Sequence, residues 1–365
     1  MLTKDHLQRV LQSARRFGAS DVHLKVGRPP FYRIDGSLRE VKDFPEINDD
    51  AMNDFARAVM TPGQWAHLES DHEVDFSVNQ NGCAYRANVF QQRGHTGMVF
   101  RVISDEVPPF DSLGLPASIL KIAKESRGLS LVTGSTGSGK STTLAAIIQH
   151  INKNKAEHIV TVEDPIEYRF RDVRSVINQR EVGQDTNSFS KALRSALRQD
   201  PDVILVGEMR DMETIKIALQ AAETGHLVLS TLHASDVAST MTRIVSVFPA
   251  HQQAAIRLQL ATVLNGIVSL RLLRHADGKS RVPAAEVMLN TARMRDLIAN
   301  KDRNVEIFDA IEDGVDHYGM QSFDQSLMGL LKDGKITKEV AIAAASNPED
   351  FALKLSGISD TSSWG

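Results

Sequence analysis

Leu129-Ser130-Leu131-Val132-Thr133 runs straight into Gly134-Ser135-Thr136-Gly137-Ser138-Gly139-Lys140-Ser141, and the residues that follow, to Asn152, have helical character. A short apolar strand, a glycine-rich turn and a helix opening on Lys-Ser together fit the pattern G-x-x-x-x-G-K-[ST]. Small residues let consecutive backbone N–H groups turn inward around phosphate oxygens, and the helix adds the positive end of its dipole. In that pattern Ser135, Thr136, Gly137, Ser138, Gly139, Lys140, Ser141 and Thr142 form the cradle. Lys140 is expected to reach the β- and γ-phosphates, and the Ser141 hydroxyl to ligate Mg2+. A plain glycine-rich turn would explain the glycines but not the strand before them or the helix after. The expected ligands are ATP and Mg2+.

Further along, Ile159–Val162 and Val203–Val206 are short apolar runs separated by helical segments, the mark of a parallel α/β sheet. Hydrolysis of a γ-phosphate needs a held metal ion and an oriented water, and an acid at the end of a neighbouring strand serves both. Ile204-Leu205-Val206-Gly207-Glu208 and Ile159 to Glu163-Asp164-Pro165 each end on one. Glu208 and Glu163 are therefore the candidate catalytic acids and, with Ser141, the candidate metal ligands. Spacing does not say which acid polarises water, and Asp-Pro is also a common start of a turn.

His226 and His233 bracket a third apolar run, Leu227–Leu232, where a histidine is as readily a core or surface residue as a functional one. Arg194 and Arg198 lie four apart on a predicted helix over Phe189–Arg198, as a solvated basic face or a phosphate clamp. Apolar residues 256, 260, 263, 264, 267 and 270 predict one long amphipathic helix over Gln252–Leu273. From about Ala284 the chain reads as mostly helical, and its polar Gly/Ser end, 357–365, reads as disordered.

Upstream, Leu7, Val10, Leu11, Ala14 and Phe17 recur at helical spacing and stop at Gly18. Val22, Leu24 and Val26 alternate as a strand, Phe31–Glu40 reads as a hairpin around Asp35-Gly36, and Asn48–Met60 and the stretch after Thr61-Pro62 as helices. Three more strands follow, over Val74–Val78, Tyr85–Gln91 and Met98–Ile103, the first ending at an Asn81-Gly82 turn. This is an α+β domain over 1–103 with an antiparallel sheet. Arg86 and Arg101 stand on its strands in apolar or small surroundings, as arginine fingers or as strand-edge charges. Residues 104–112 hold two prolines and three acids without periodicity and read as a linker to a second domain over 113–356.

Composition narrows the function. The 365 residues give room for about two domains. With a net charge of -4 and no bulk basic character, no nucleic-acid partner is expected. Cys83 is the single cysteine, which excludes an internal disulfide and a four-cysteine zinc site. Met1–Ser20 carries Lys4, Arg9, Arg15 and Arg16 and does not read as an export signal, and no stretch nears the ~18 apolar residues of a membrane span. A cytoplasmic location is expected.

These segments resemble the secretion and pilus ATPase family, and within it the pilus retraction ATPases (PilT- and PilU-like). Ala19-Ser20-Asp21-Val22-His23-Leu24, the phosphate loop, Thr161 to Tyr168, Gln179 to Gly183, Ala192 to Asp202 and Val206 to Asp211 are each similar to a family segment. So are Ala222 to His226 with Ser230 to His233, which resemble its paired histidine boxes. The resemblance implies a PAS-like N-terminal domain, a RecA-like parallel-sheet ATPase domain, and a homo-hexamer. It gives Glu208 the Walker B role and Glu163 a role near metal and water, and places His226 and His233 near the γ-phosphate and the subunit interface. Arg86, Arg101, Arg194 and Arg198 match arginines that sense or clamp the nucleotide, some from another domain or subunit. It implies as partners the inner-membrane platform protein of the pilus and a paralogous retraction ATPase, with the chain peripheral to that membrane.

Pilus extension and type II secretion ATPases carry a large extra N-terminal region and often a four-cysteine site, so the retraction branch is expected. Arg293-Met294-Arg295-Asp296-Leu297-Ile298-Ala299-Asn300 keeps Arg295, Leu297 and Ile298 of a retraction-specific segment but lacks its final Arg-Glu. An accessory ATPase needing a partner motor is therefore the alternative. A regulatory subunit that binds ATP without hydrolysing it is disfavoured by the intact Lys140, Ser141, Glu163 and Glu208.

Overall fold

The computed structural model of the chain describes residues 2–80, 82–103 and 106–356. It divides into two compact units, Met1–Glu106 with Pro165–Phe170, and Val107–Asp164 with Arg171–Gly365.

The first unit is a six-stranded antiparallel sheet with helices. Its strands are β1 (Asp21–Lys25), β2 (Phe31–Ile34), β3 (Ser37–Glu40), β4 (Glu73–Gln80), β5 (Cys83–Gln92) and β6 (His95–Val102), in the order β3-β2-β1-β6-β5-β4. The hairpin between β2 and β3 turns on Asp35 and Gly36, both with positive φ (50° and 78°), as its two-residue loop requires. The helices are α1 (Lys4–Arg16), α2 (Asp49–Val59), capped by Asn48, and α3 (Pro62–Asp71), capped by Thr61. Leu7, Val10, Leu11 and Ala14 form the buried stripe of α1. Tyr32 and Tyr85 donate their hydroxyls to the carbonyls of Val10 and Leu11, tying that helix to the sheet.

The second unit is built on a seven-stranded sheet. Its strands are β7 (Gly128–Gly134), β8 (His158–Glu163), β9 (Val176–Glu181), β10 (Val203–Val206), β11 (Leu227–Leu232), β12 (Leu264–Arg274) and β13 (Arg281–Leu289). The order is β13-β12-β7-β11-β10-β8-β9, and every neighbouring pair is parallel except β12 with β13. After a short turn of helix, α4 (Lys121–Lys124), the sheet's crossovers are α5 (Lys140–Asn154), α6 (Phe189–Ala196), α7 (Met212–Glu223), α8 (Val237–Ser246) and α9 (Ala250–Val263). β7 and β11 are buried along their whole length, as strands covered on both faces must be. Six helices follow β13, from α10 (Ala292–Ala299) through α11 (Glu306–Asp313), α12 (Val315–Tyr318), α13 (Phe323–Lys332) and α14 (Lys338–Ala344) to α15 (Pro348–Leu355). Among the described residues no helix is long and apolar enough to cross a membrane.

Three sequence expectations are corrected. The single helix over Gln252–Leu273 is a helix to Val263 and then strand β12. Residues 256, 260 and 263 are buried on α9, whereas 264, 267 and 270 lie in Leu264-Asn265-Gly266-Ile267-Val268-Ser269-Leu270, a mainly apolar stretch that fits a buried strand equally well. Pairing with β7 and β13 decides between the two, and Gly266 allows it, because a Cβ there would lie 2.6 Å from the Met288 carbonyl oxygen. The region expected to be mostly helical from about Ala284 instead begins within β13, which pairs with β12 through Leu289. The stretch read as a linker belongs to the second unit from Val107 onward, where Phe110 is buried. Asn81, Ser104, Asp105 and the 357–365 tail lie outside the described residues.

A Gly266→Ala substitution separates the two readings. On a helix it would stabilise the chain by about 1 kcal/mol. On β12 it is expected to destabilise it by about 1–3 kcal/mol, seen as a lower midpoint in thermal or urea unfolding.

Candidate active site

Four adjacent parallel strands end at the same edge of the second unit's sheet. Across β7, β11, β10 and β8 the register aligns Thr133 with Leu232 and, two residues earlier on β11, Ser230 with Val206 and Val206 with Val162. The next residues on each strand are therefore the glycine-rich loop, His233, Gly207-Glu208 and Glu163. Ligands of open α/β sheets bind outside the carboxyl ends of the strands, where the connections leave room.

The loop is shaped by its glycines at two levels. Gly134, at φ +145°, is wedged in place: a Cβ there would sit 2.4 Å from Ser138 Oγ and 2.5 Å from the Leu270 carbonyl oxygen. Gly137 and Gly139 take φ +77° and +100° with open space where a Cβ would be. That is the backbone a phosphate cradle needs. Gly139 is the N-cap of the fifteen-residue α5, so the helix's unpaired N–H groups face the loop. Among the described residues the buried Ser138 hydroxyl has no hydrogen-bond partner. Lys140 is buried, its Nζ donating to the Gly134 and Ser135 carbonyls at 3.0 and 2.9 Å, so a cation is held at the loop itself.

Gly207 brings the two acids close. Its N–H donates to the Val162 carbonyl at 2.8 Å, and a Cβ would meet that oxygen at 3.2 Å and Glu163 Cα at 3.3 Å. From the other side Thr231 Oγ1 donates to the Gly207 carbonyl at 2.6 Å. Glu208, 15% exposed in its side chain, has a nitrogen base beside each oxygen: Arg210 Nη2 at 2.7 Å from Oε2 and His233 Nε2 at 3.5 Å from Oε1. The hydrogen bond to Glu208, and then its charge, hold the Arg210 guanidinium above its usual range. Glu163 Oε1 accepts from Thr161 Oγ1 at 2.7 Å and from Gln179 Nε2 at 3.1 Å. Behind the site, the buried Glu286 carboxylate accepts the Val237 N–H at 2.7 Å, where α8 starts just after His233. Burial pushes Glu286 up to about 7, against the lowering effect of that hydrogen bond.

The structure thus brings together Ser135 to Thr142, Glu163, Glu208 and His233. It does not bring His226 to them. His226 precedes β11, at the opposite edge of the sheet and about 20 Å from His233 at strand rise, with Nδ1 2.9 Å from the Ala221 carbonyl oxygen. Arg198 lies toward that far edge, where the chain leads from α6 into β10, whereas Arg194 faces the first turn of α7. Arg194 pairs with Glu213, and Arg198 stands exposed just past the helix end at Ala196. Arg86 and Arg101 belong to the first unit, opposite one another on β5 and β6. There Arg101 Nε lies 3.0 Å from Asp21 and Arg86 Nε 3.8 Å from Asp75. Sequence reasoning singled out neither Arg210 nor Thr161 and Gln179. Arg210, two residues past Glu208, was open to notice; the other two needed the β8–β9 register.

A glycine-rich phosphate cradle with two acids at neighbouring strand ends defines a parallel-sheet P-loop ATPase. The chain belongs to the type II/IV secretion system protein family, whose model matches residues 2–325. It is 44% identical to the type IV pilus retraction ATPase PilT of Pseudomonas aeruginosa, over 94% of this chain and 98% of that one. It is 39% identical to the type IV pilus ATPase PilU of the same organism, over 93% of this chain and 88% of that one. A crystal structure of the pilus retraction motor PilT with bound ADP superposes with a TM-score of 0.88 at 44% identity, covering 96% of this chain and 98% of that one.

The close packing at Gly134 carries a prediction. Gly134→Ala is expected to weaken binding of a fluorescent ATP analogue at least about tenfold in a titration, because the loop has to move to admit the methyl group. Unchanged affinity would contradict the loop geometry.

Proposed function

We propose that the chain is an ATP-hydrolysing motor that powers retraction of the type IV pilus. The observation that carries this is the arrival of the phosphate loop, His233, Glu208 and Glu163 at one edge of the sheet on four neighbouring strands. Similarity to PilT over nearly all of both chains supports the pilus as the object moved.

In this reading the triphosphate lies along the loop from Ser135 to Thr142, and Lys140 exchanges its two carbonyl partners for β- and γ-phosphate oxygens. Mg2+ fits the donors present. Among the described residues no three His, Cys, Asp or Glu side chains form a metal cage, and Mg2+ needs none, taking one or two protein oxygens with phosphate and water. Ser141, Glu163 and Glu208 supply such oxygens. Held there, Mg2+ would supply charge neutralisation for the phosphate oxygens. Glu208 orients the attacking water and accepts its proton, which requires Arg210 to release it; His233 stands ready on the other carboxylate oxygen. Glu163 holds the metal and water side.

His226, Arg194 and Arg198 act across a subunit interface in this account, which fits the place of His226 and Arg198 at the far edge of the sheet. The family resemblance gives Arg86 and Arg101 a comparable role from the N-terminal domain. A homo-hexamer in the cytoplasm follows, docked to the inner-membrane platform protein of the pilus, with each hydrolysis step read out as domain closure.

A second reading, an accessory ATPase working beside a paralogous motor, rests on the segment that departs from retraction ATPases. There Leu297 and Ile298 are buried in the core, while Asn300 accepts the Asp302 N–H at 3.1 Å and caps a short turn. The change at that end is structurally self-consistent, which supports the motor over the accessory reading.

The test is a strain lacking this gene, complemented with the wild-type chain or with Glu208→Gln. Purified Glu208→Gln should bind ATP with near-normal affinity and hydrolyse it about 100-fold or more slowly. Its cells should carry abundant surface pili that do not retract. Undiminished hydrolysis would refute the role of Glu208. Normal retraction without the gene would refute the motor and favour the accessory reading.

A further inference from the structure

Resting on the reading of Glu163 given above, we propose that Thr161 and Gln179 are positioning residues for hydrolysis, which act by fixing the Glu163 carboxylate. Thr161 and Glu163 are two apart on β8, so their side chains share one face of the strand. β9 runs beside it in parallel register, with Gln179 opposite Thr161 and Glu181 opposite Glu163. Both donors converge on one oxygen, Glu163 Oε1, at 2.7 Å from Thr161 Oγ1 and 3.1 Å from Gln179 Nε2.

The residue types suit the task. Thr161 is fully buried and β-branched, so its hydroxyl is fixed by χ1, and its single proton goes to the carboxylate. Glu163 is the last residue of β8 and is followed by Asp164-Pro165, so the strand ladder ends where its side chain has to be aimed. A free glutamate there would have three rotatable bonds and would give up orientation at each turnover. A 1 Å misplacement of a catalytic group can cost about 100-fold in rate. Two donors on neighbouring strands restrict it to one orientation. The same contact gives β9 a function: this edge strand carries Gln179 to the acid.

Four variants test this. Thr161→Val keeps the shape and removes the hydroxyl, Thr161→Ser keeps the hydroxyl, and Gln179→Met removes the amide at similar length. Glu163→Gln removes the acid that the others serve. Thr161→Val and Gln179→Met are each expected to lower kcat about tenfold, the effect of one lost hydrogen bond to a charged group, with KM for ATP within about twofold of wild type. Thr161→Ser should stay within about threefold of wild-type kcat. In a Glu163→Gln background, measured by single-turnover hydrolysis, neither substitution should lower the rate further, because a positioning residue has nothing left to position.

Full kcat in Thr161→Val and Gln179→Met, with Glu163→Gln impaired, would overturn the proposal and leave the role of Glu163 standing. Equal losses with and without Glu163 would overturn it as well, making both residues structural. Undiminished turnover in Glu163→Gln would overturn the underlying reading of the acid, and the proposal with it.

Discussion

No side chain fits at residue 134, where the Ser138 hydroxyl and the Leu270 carbonyl already occupy the space a Cβ would need. That closeness fixes the end of β7 against β12 on one side and against its own loop on the other. From this fixed point the loop turns through Gly137 and Gly139 into α5, and β11, β10 and β8 each place their last residue by register with the strand before them in the sheet. The site depends on alignment of backbone ends more than on any one side-chain contact. A one-residue slip between β10 and β8 would turn their side chains to the opposite faces and part Glu208 from Glu163.

The two acids are held in different ways, consistent with different tasks. Glu163 receives neutral donors from its own strand and from β9, which orient it and leave its charge uncompensated by those partners. Glu208 is engaged by Arg210 and faces His233, so its freedom to act on water depends on where an arginine goes. Arg210 is well exposed while Glu208 is largely covered, so the cation is the partner more able to move. In the proposed mechanism Arg210 leaves before Glu208 acts, so its departure offers a point at which nucleotide binding and hydrolysis can be coupled.

Much of this was legible in the sequence because the signals are local. The loop, its strand and its helix are contiguous, and Glu208 and Glu163 each end an apolar run short enough to be a strand. What escaped was non-local. Leu264 to Leu270 has apolar spacing that continues the α9 stripe, and only pairing with β7 and β13 makes it a strand. Val176–Glu181, with three of its six residues polar or charged apart from Glu181, gives no buried-strand pattern because it sits at the sheet edge. Without β9 there is no Gln179 beside Glu163. His226 and His233 look equivalent in sequence, yet a six-residue strand puts them at opposite edges of the sheet. The helix predicted over Phe189–Arg198 stops at Ala196, which leaves Arg198 just past it, and which end of a crossover helix approaches the loop is a property of the sheet, invisible to spacing.

The most direct measurement is a structure of the chain with Mg2+ and a non-hydrolysable ATP analogue. The account predicts β- and γ-phosphates within the 134–142 loop, with Lys140 moved from the Gly134 and Ser135 carbonyls onto phosphate oxygens. Glu208 should have left Arg210 and turned toward the γ-phosphate, while Glu163 still accepts from Thr161 and Gln179. Phosphates bound outside the loop, or Lys140 and Glu208 keeping their present partners with the triphosphate in place, would contradict it.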